Sequence, residues 1–333
     1  MLTLDNEKDS ERPVGRLTPR GERASHSGEA AADFTFGCNR NRFQIELAKD
    51  RLQPRLGCLS FPLRVPVFRF LNLEIDMAMD ISFACTMCGL CCHNLRLPLS
   101  VHEAIRWLER GGDVQVFCEA MPWPVEPSTD DGQVKHRRIR SFAAESGELA
   151  IRVMVTVVAA FDGACPHLQP DMRCGGYEAR PNVCRIYPAE INPFIELMPA
   201  HKACPPEAWA VDRPSFIKGG QIVDSITADL IQNSRDAAIH DVPVKERLCG
   251  NAGFHTASLA NEGFVTYTLP RRAMLDELYR ALDPALPATQ AGPWRILSNR
   301  RSTVDTLNSV GAHSEMHTAL LPTEGYIPLF EAN

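Results

Sequence analysis

The chain has 333 residues and lacks any apolar stretch long enough to cross a bilayer. Its longest strongly apolar run without a charge, VMVTVVAAF at 153–161, falls far short of the roughly 20 residues a spanning helix needs. The first 30 residues are polar and charged, without an apolar run leading to a small-residue cleavage site, so no secretory signal is expected. A basic excess is also missing. The net charge of -6 and pI near 5.9 argue against a general binder of nucleic acid or of anionic membranes. There is no Gly-x-Gly-x-x-Gly and no Gly-x4-Gly-Lys-Ser/Thr, so nucleotide binding has no argument in the sequence. The radical-type Cys-x3-Cys-x2-Cys run is absent, and the glycine pair in FIKGGQIVD (216–224) lacks the strand-Gly-helix context of a cofactor cradle. These absences describe a soluble, cytoplasmic protein with no nucleic-acid partner and no membrane insertion. A protein partner is compatible with them, though none is identified.

Cysteine, by contrast, is abundant and unevenly spread. Apart from the isolated Cys118, eight of the twelve cysteines are gathered between residues 85 and 204: Cys85, Cys88, Cys91, Cys92, Cys165, Cys174, Cys184 and Cys204. In a reducing compartment such clustering points to metal or redox chemistry rather than to structural disulfides. Cys38, Cys58, Cys118 and Cys249 are singletons and read as small, half-buried apolar residues. Cys118 has no neighbouring base that would mark it as a nucleophile.

Hydrophobic residues make up 44% and charged residues 23% of the chain, so it can bury a sizeable core, and its length could accommodate two average domains. Three regions are expected. Residues 1–76 read as a disordered or mis-annotated extension, rich in Arg, Glu, Ser, Pro and Gly over its first 58 positions, with Met77 and Met79 as alternative starts. Residues 77–210 form a cysteine-rich metal- or cluster-binding domain, and 211–333 a C-terminal α/β region without a nameable chemical motif. In LSVHEAIRWLERGGD, Ser100 is a plausible N-cap, Glu103 completes a capping box and Gly111-Gly112 stops the helix. Ile105, Trp107 and Leu108 supply its apolar contacts. GELAIRVMVTVVAAFDG (147–163) is β-branched, bounded by glycine, and reads as a long strand. The stretch from Cys165 to Pro188, full of Pro, Gly and Cys, reads as loop. Residues 225–239 and 271–283 have helical periodicity. The fold class expected is α+β, with a small metal-stabilised domain whose ligands are borne on loops.

Phe83-x-Cys85-x-x-Cys88-Gly89-x-Cys91-Cys92, then Cys165-Pro166-x-Leu168, Cys174, Tyr177-Glu178-x-Arg180-Pro181-x-x-Cys184-Arg185 and Tyr187-Pro188, resemble the CxxCxxCC family of zinc- or iron-chelating (YkgJ-like) domain proteins. The resemblance spans about residues 82–205. Gly175-Gly176 departs from it, standing where a polar-apolar pair is expected before the tyrosine. It implies metal chelation and fixes no reaction. A flagellin lysine methylase is similar in carrying the same cysteine motif, which leaves open a metal-dependent enzyme acting on a protein or small molecule.

Structural zinc usually takes two close Cys-x2-Cys pairs. Here one dense run is followed by cysteines separated by eight, nine and nineteen residues. Three close thiols with a remote Cys-Pro are closer to a ferredoxin run, although Cys92 follows Cys91 at once. The spacing therefore favours an iron-sulfur cluster, with zinc as the alternative and mononuclear iron third. Eight thiolates would concentrate negative charge, and Arg173, Arg180, Arg185 and Lys202 stand close enough in sequence to offset it or to be solvated loop charges. His93 and His167 could replace a thiolate or be ordinary hydrogen-bonded histidines. A structural zinc site in an interaction module is the third functional class.

Overall fold

The computed structural model describes residues 80–127, 130–286, 292–317 and 323–331. The expectations for residues 1–76, and for Cys38 and Cys58, lie outside the described residues. In chain order the elements are β1 (Ile81–Ser82), β2 (His93–Leu99), α1 (Val101–Glu109), β3 (Val114–Pro122), α2 (Gly132–Ile139), β4 (Phe142–Ser146) and β5 (Leu149–Ala164). Then come α3 (Asn182–Ile186), β6 (Ser215–Lys218), β7 (Gln221–Ile222), α4 (Ser225–His240), α5 (Val242–Ala252), β8 (Thr256–Leu259) and β9 (Gly263–Thr268). The last are α6 (Arg271–Leu282), β10 (Arg295–Ser298), α7 (Arg301–Ser309), β11 (Ser314–Met316) and β12 (Glu324–Pro328). The class is α+β, as expected.

Strands β3 and β5 form the spine of a nine-stranded mixed sheet. Along β5, Leu149, Ile151, Val153, Val155 and Val157 are buried, while the residues between them are less so. That is the period of two expected of a strand with one covered face. β5 pairs antiparallel with β3 along one edge; along the other it pairs with β4 near its start and β2 near its end. β3 in turn pairs with β9 (antiparallel) and β8 (parallel), and β8, β10 and β11 continue in parallel. Strands from both sides of residue 210 thus share one sheet. Ala104, Ile105, Trp107 and Leu108 of α1, Leu248 of α5 and Met274 and Leu278 of α6 bury against Val116, Val153, Val155 and Val157 to form the main core.

Helix α1 begins as its sequence demands. The Ser100 side chain accepts the Glu103 N–H, and Glu103 reaches back to the Ser100 N–H at 2.9 Å. A second, antiparallel sheet, β1-β6-β7, joins residues 81–82 to 215–222. A small cluster of Ile186, Ala189 and Ile231, with Phe216 and Ile222 against it, ties α3, α4 and this small sheet together.

Candidate metal centre

The two sheets bring the segments bearing the eight cysteines together. The small sheet staples the start of the dense run to the segment after Cys204. Phe83 N–H donates to Pro214 O at 3.0 Å, Ala84 N–H donates to Ala208 O at 2.9 Å, and the Phe83 ring packs on Trp209 and Phe216. Cys85, Cys88 and Cys91 are thereby brought up to Cys204. The large sheet gathers the rest. Cys92 immediately precedes β2 and Cys165 immediately follows β5, and Cys165 N–H donates to Cys92 O at 2.8 Å. Cys174 is returned to the same place by its bridge to Leu168 and by the Gly175 N–H bond to His167 O at 2.7 Å. Cys184 rides on α3, whose first N–H, at Asn182, donates to Glu103 Oε1 at 2.8 Å.

The electrostatics follow the same division. Burial raises the Cys204 thiol, the adjacent Tyr187 hydroxyl opposes this, and the charges it feels include those of Cys85 and Cys88. Cys91 is pushed up by the neighbouring Cys92, by burial, and by the charges of Cys204 and Cys85. Cys184 is raised to about 12, first by burial and then by Cys165, Cys92 and Cys174. Cys165, raised mainly by burial, feels Cys92 and Cys174. Cys92 is lowered to about 6, because Cys91 stands beside it as a donor and His93 and Arg180 are close, and burial only partly opposes them. Cys204 thus lies near Cys85 and Cys88 (with Cys91, an outer set), Cys165 and Cys184 lie near Cys92 and Cys174 (an inner set), and the Cys91–Cys92 contact couples the two sets. The Cys91–Cys92 peptide bond is the junction.

Neighbouring donors are not yet a closed coordination sphere. Among the described residues, no three Cys, His, Asp or Glu side chains converge closely enough to hold an ion as they stand. The donor chemistry nonetheless fits zinc, iron or an iron-sulfur cluster, since all eight groups are soft sulfur donors, and it does not fit the oxygen-seeking magnesium or calcium. All eight are free, seven are partly buried and Cys85 is exposed. Free Cys118 and Cys249, the two described singletons, are fully buried in the main core and lie side by side, as core residues.

Around the sulfurs, the sequence indicated some partners and missed others. Arg180 lies over the Tyr177 ring, 3.7 Å from its centre, and its charge favours the thiolates of Cys92 and Cys184. Arg185 is exposed, and Arg173 is exposed beside Asp171. His93 Nδ1 is 3.2 Å from Gly89 O, while the His167 ring stands edge-on to Trp107 with its buried Nε2 unpartnered. Tyr187 was not anticipated. Its hydroxyl accepts the Ala203 N–H at 2.9 Å and stands beside the Cys204 thiol, where it favours the thiolate. Nor was the pairing of Lys202 with Glu190, which fixes the backbone two residues before Cys204. Only the recurrence of Tyr187-Pro188 in the motif hinted at either.

Residues 84–205, somewhat over a third of the chain, match the CxxCxxCC family model, described as a "putative zinc- or iron-chelating domain". No curated protein and no solved structure matches the chain. No helix among the described residues is long and apolar enough to cross a membrane.

Proposed function

We propose that this protein is a metal-binding protein that chelates iron, as an iron-sulfur cluster, or zinc through eight cysteines arranged as two four-thiol sites in the cytoplasm. The observation that carries the reading is the strand pairing that brings the 85–91 turn up to the segment of Cys204 and joins Cys92 to Cys165, so that the eight sulfurs can be grouped as an outer and an inner four. Four thiolates are what one tetrahedral zinc ion or one four-iron cluster takes. The adjacent pair lies in the turn that leads into β2, with the two thiols beside each other, and we assign Cys91 to one site and Cys92 to the other. Bound at either site, the metal supplies the positive charge that crowded thiolates lack, and a cluster adds electron transfer. Arg180 at the inner site, and Lys202 at the outer, moderate the remaining negative charge.

The test is anaerobic purification of the full chain, followed by metal and acid-labile sulfide analysis and a visible spectrum. A brown protein with iron and sulfide supports the cluster. A colourless protein with two zinc ions and no sulfide supports the zinc form. A protein that holds neither metal, or that keeps its full content in Cys174→Ser and Cys184→Ser variants, contradicts the reading.

A further inference from the structure

The two sets of thiols are anchored very differently. Three of the inner thiols are tied to the large sheet or its core, and the fourth, Cys174, is held within its own loop. Cys92 and Cys165 are joined by a backbone hydrogen bond at the β2–β5 end, Cys174 is bridged to Leu168, and Cys165 and Cys184 pack against the main core. Withdrawing Cys92, Cys165 or Cys184 means parting strands or pulling α3 off the core. The outer thiols carry no such obligation. Three of them ride on the 85–91 turn, where Cys85 is exposed and the Met87 and Leu90 side chains are 55% and 53% exposed. The fourth, Cys204, comes from a separate segment and is steadied by the Tyr187 hydroxyl, through the Ala203 N–H, and by Lys202 with Glu190.

We infer that the outer four thiols form an exchanging site, loading and surrendering a thiol-seeking cation as cargo while the inner four retain theirs, and that Tyr187 is the positioning residue that latches Cys204 onto the outer site. This rests on the two-site reading above and assigns the two sites different work. Transfer requires an acceptor's donor atom to reach the ion as each protein thiolate lets go, and Cys85, on the outer turn, is the exposed one of the eight thiols. The exchange is redox-neutral. Each sulfur that leaves takes up a proton from water, and the acceptor's donor takes its coordination position. The Tyr187 hydroxyl accepts the Ala203 N–H at 2.9 Å and so fixes the backbone next to Cys204. Without that hydroxyl the Ala203 N–H loses its acceptor, and the segment bearing Cys204 loosens.

The experiment uses the reduced full chain loaded anaerobically with zinc, and follows zinc release to the chromogenic chelator 4-(2-pyridylazo)resorcinol. Two zinc ions per chain, one released rapidly and one slowly, are expected. Cys204→Ser should abolish the fast phase alone and Cys184→Ser the slow phase alone. Tyr187→Phe should speed the fast phase roughly tenfold, the scale of a lost hydrogen bond, and leave the slow phase unchanged. Two zinc ions leaving at one common rate would overturn the inference while leaving the two-site reading standing. Fewer than two bound would overturn both. Equal acceleration of both phases in Tyr187→Phe would show a general loosening and remove Tyr187 from the role.

Discussion

Gly89 sits in the turn between Cys88 and Cys91 with φ of +70°, and a Cβ there would lie 2.9 Å from the Met172 carbonyl oxygen. No L side chain is comfortable in that conformation, and the space is taken by Met172, both by the end of its side chain and by its backbone carbonyl. Gly89→Ala should therefore cost about 1–2 kcal/mol and weaken metal binding, by distorting both the 88–91 turn and the Met172 loop it packs on, which chemical denaturation and zinc titration would show. Lys245 makes a different case. Its side chain is buried on α5, with no hydrogen-bond or ion-pair partner among the described residues, although the Asp241 charge one turn earlier favours its protonated form. Burial pulls its pKa from 10.5 to about 8. Between those values the unfolded chain holds a proton that the native chain does not, so stability rises with pH across that window and the protonated amine is a burden below it. At about 1.4 kcal/mol per pKa unit the burden is about 3 kcal/mol. Lys245→Met should accordingly be more stable at pH 7, and its advantage should shrink toward pH 10.5. An advantage independent of pH would show that the amine is not the cause.

Helix α1 links the fold to the inner site through one carboxylate. Glu103 Oε2 completes the capping box with Ser100, and Oε1 accepts the Asn182 N–H that begins α3, the helix bearing Cys184. The first N–H of α1, at Val101, donates to Asp241 Oδ2 at 2.7 Å, so the junction of α4 and α5 is fastened to the same end. Ser100→Ala removes a cap alone and should cost about 1 kcal/mol. Glu103→Ala removes the cap and also orphans the Asn182 N–H, so about 2 kcal/mol is expected. Only Glu103→Ala should also weaken the inner site. Equal effects of the two substitutions on zinc content would show that the Glu103–Asn182 bond does not position Cys184.

On the scale of the whole molecule, the cysteine-rich stretch leans on strands that come long after it. β3 and β5 lie before residue 210, but the edge of β3 is completed by β8 and β9, and α5 and α6 cover the main core. A chain ending at residue 210 would leave that edge unpaired and Val116, Val153 and Val155 without their covering helices. It should show no cooperative unfolding transition and should aggregate. A chain beginning at Met77 retains every described element, since the first of them is Ile81–Ser82, and should bind the same metal per chain as the full protein. Loss of metal on that shortening would bring Cys38 or Cys58 into the site.

Local chemistry was legible from residues alone wherever its cause is local. Ser100 and Glu103 announce their capping box, the alternating β-branched run announces β5, and the crowding of eight cysteines announces soft-metal chemistry. The helices at 225–240 and 271–282 likewise follow their periodicity. The grouping of the cysteines has a long-range cause. Cys204 joins Cys85 because β1 pairs with β6, and Cys174 and Cys184 join Cys92 because β2 pairs with β5 and α3 docks on α1. Such pairings set which thiols are neighbours, and spacing along the chain does not encode them. The partnership of Tyr187 with Cys204, seventeen residues on, and the sharing of one sheet across residue 210 were decided in the same way. The sequence by itself determined which donors the protein has, and tertiary pairing alone decided which of them lie near one another, because strand register is set by contacts between residues far apart in the chain.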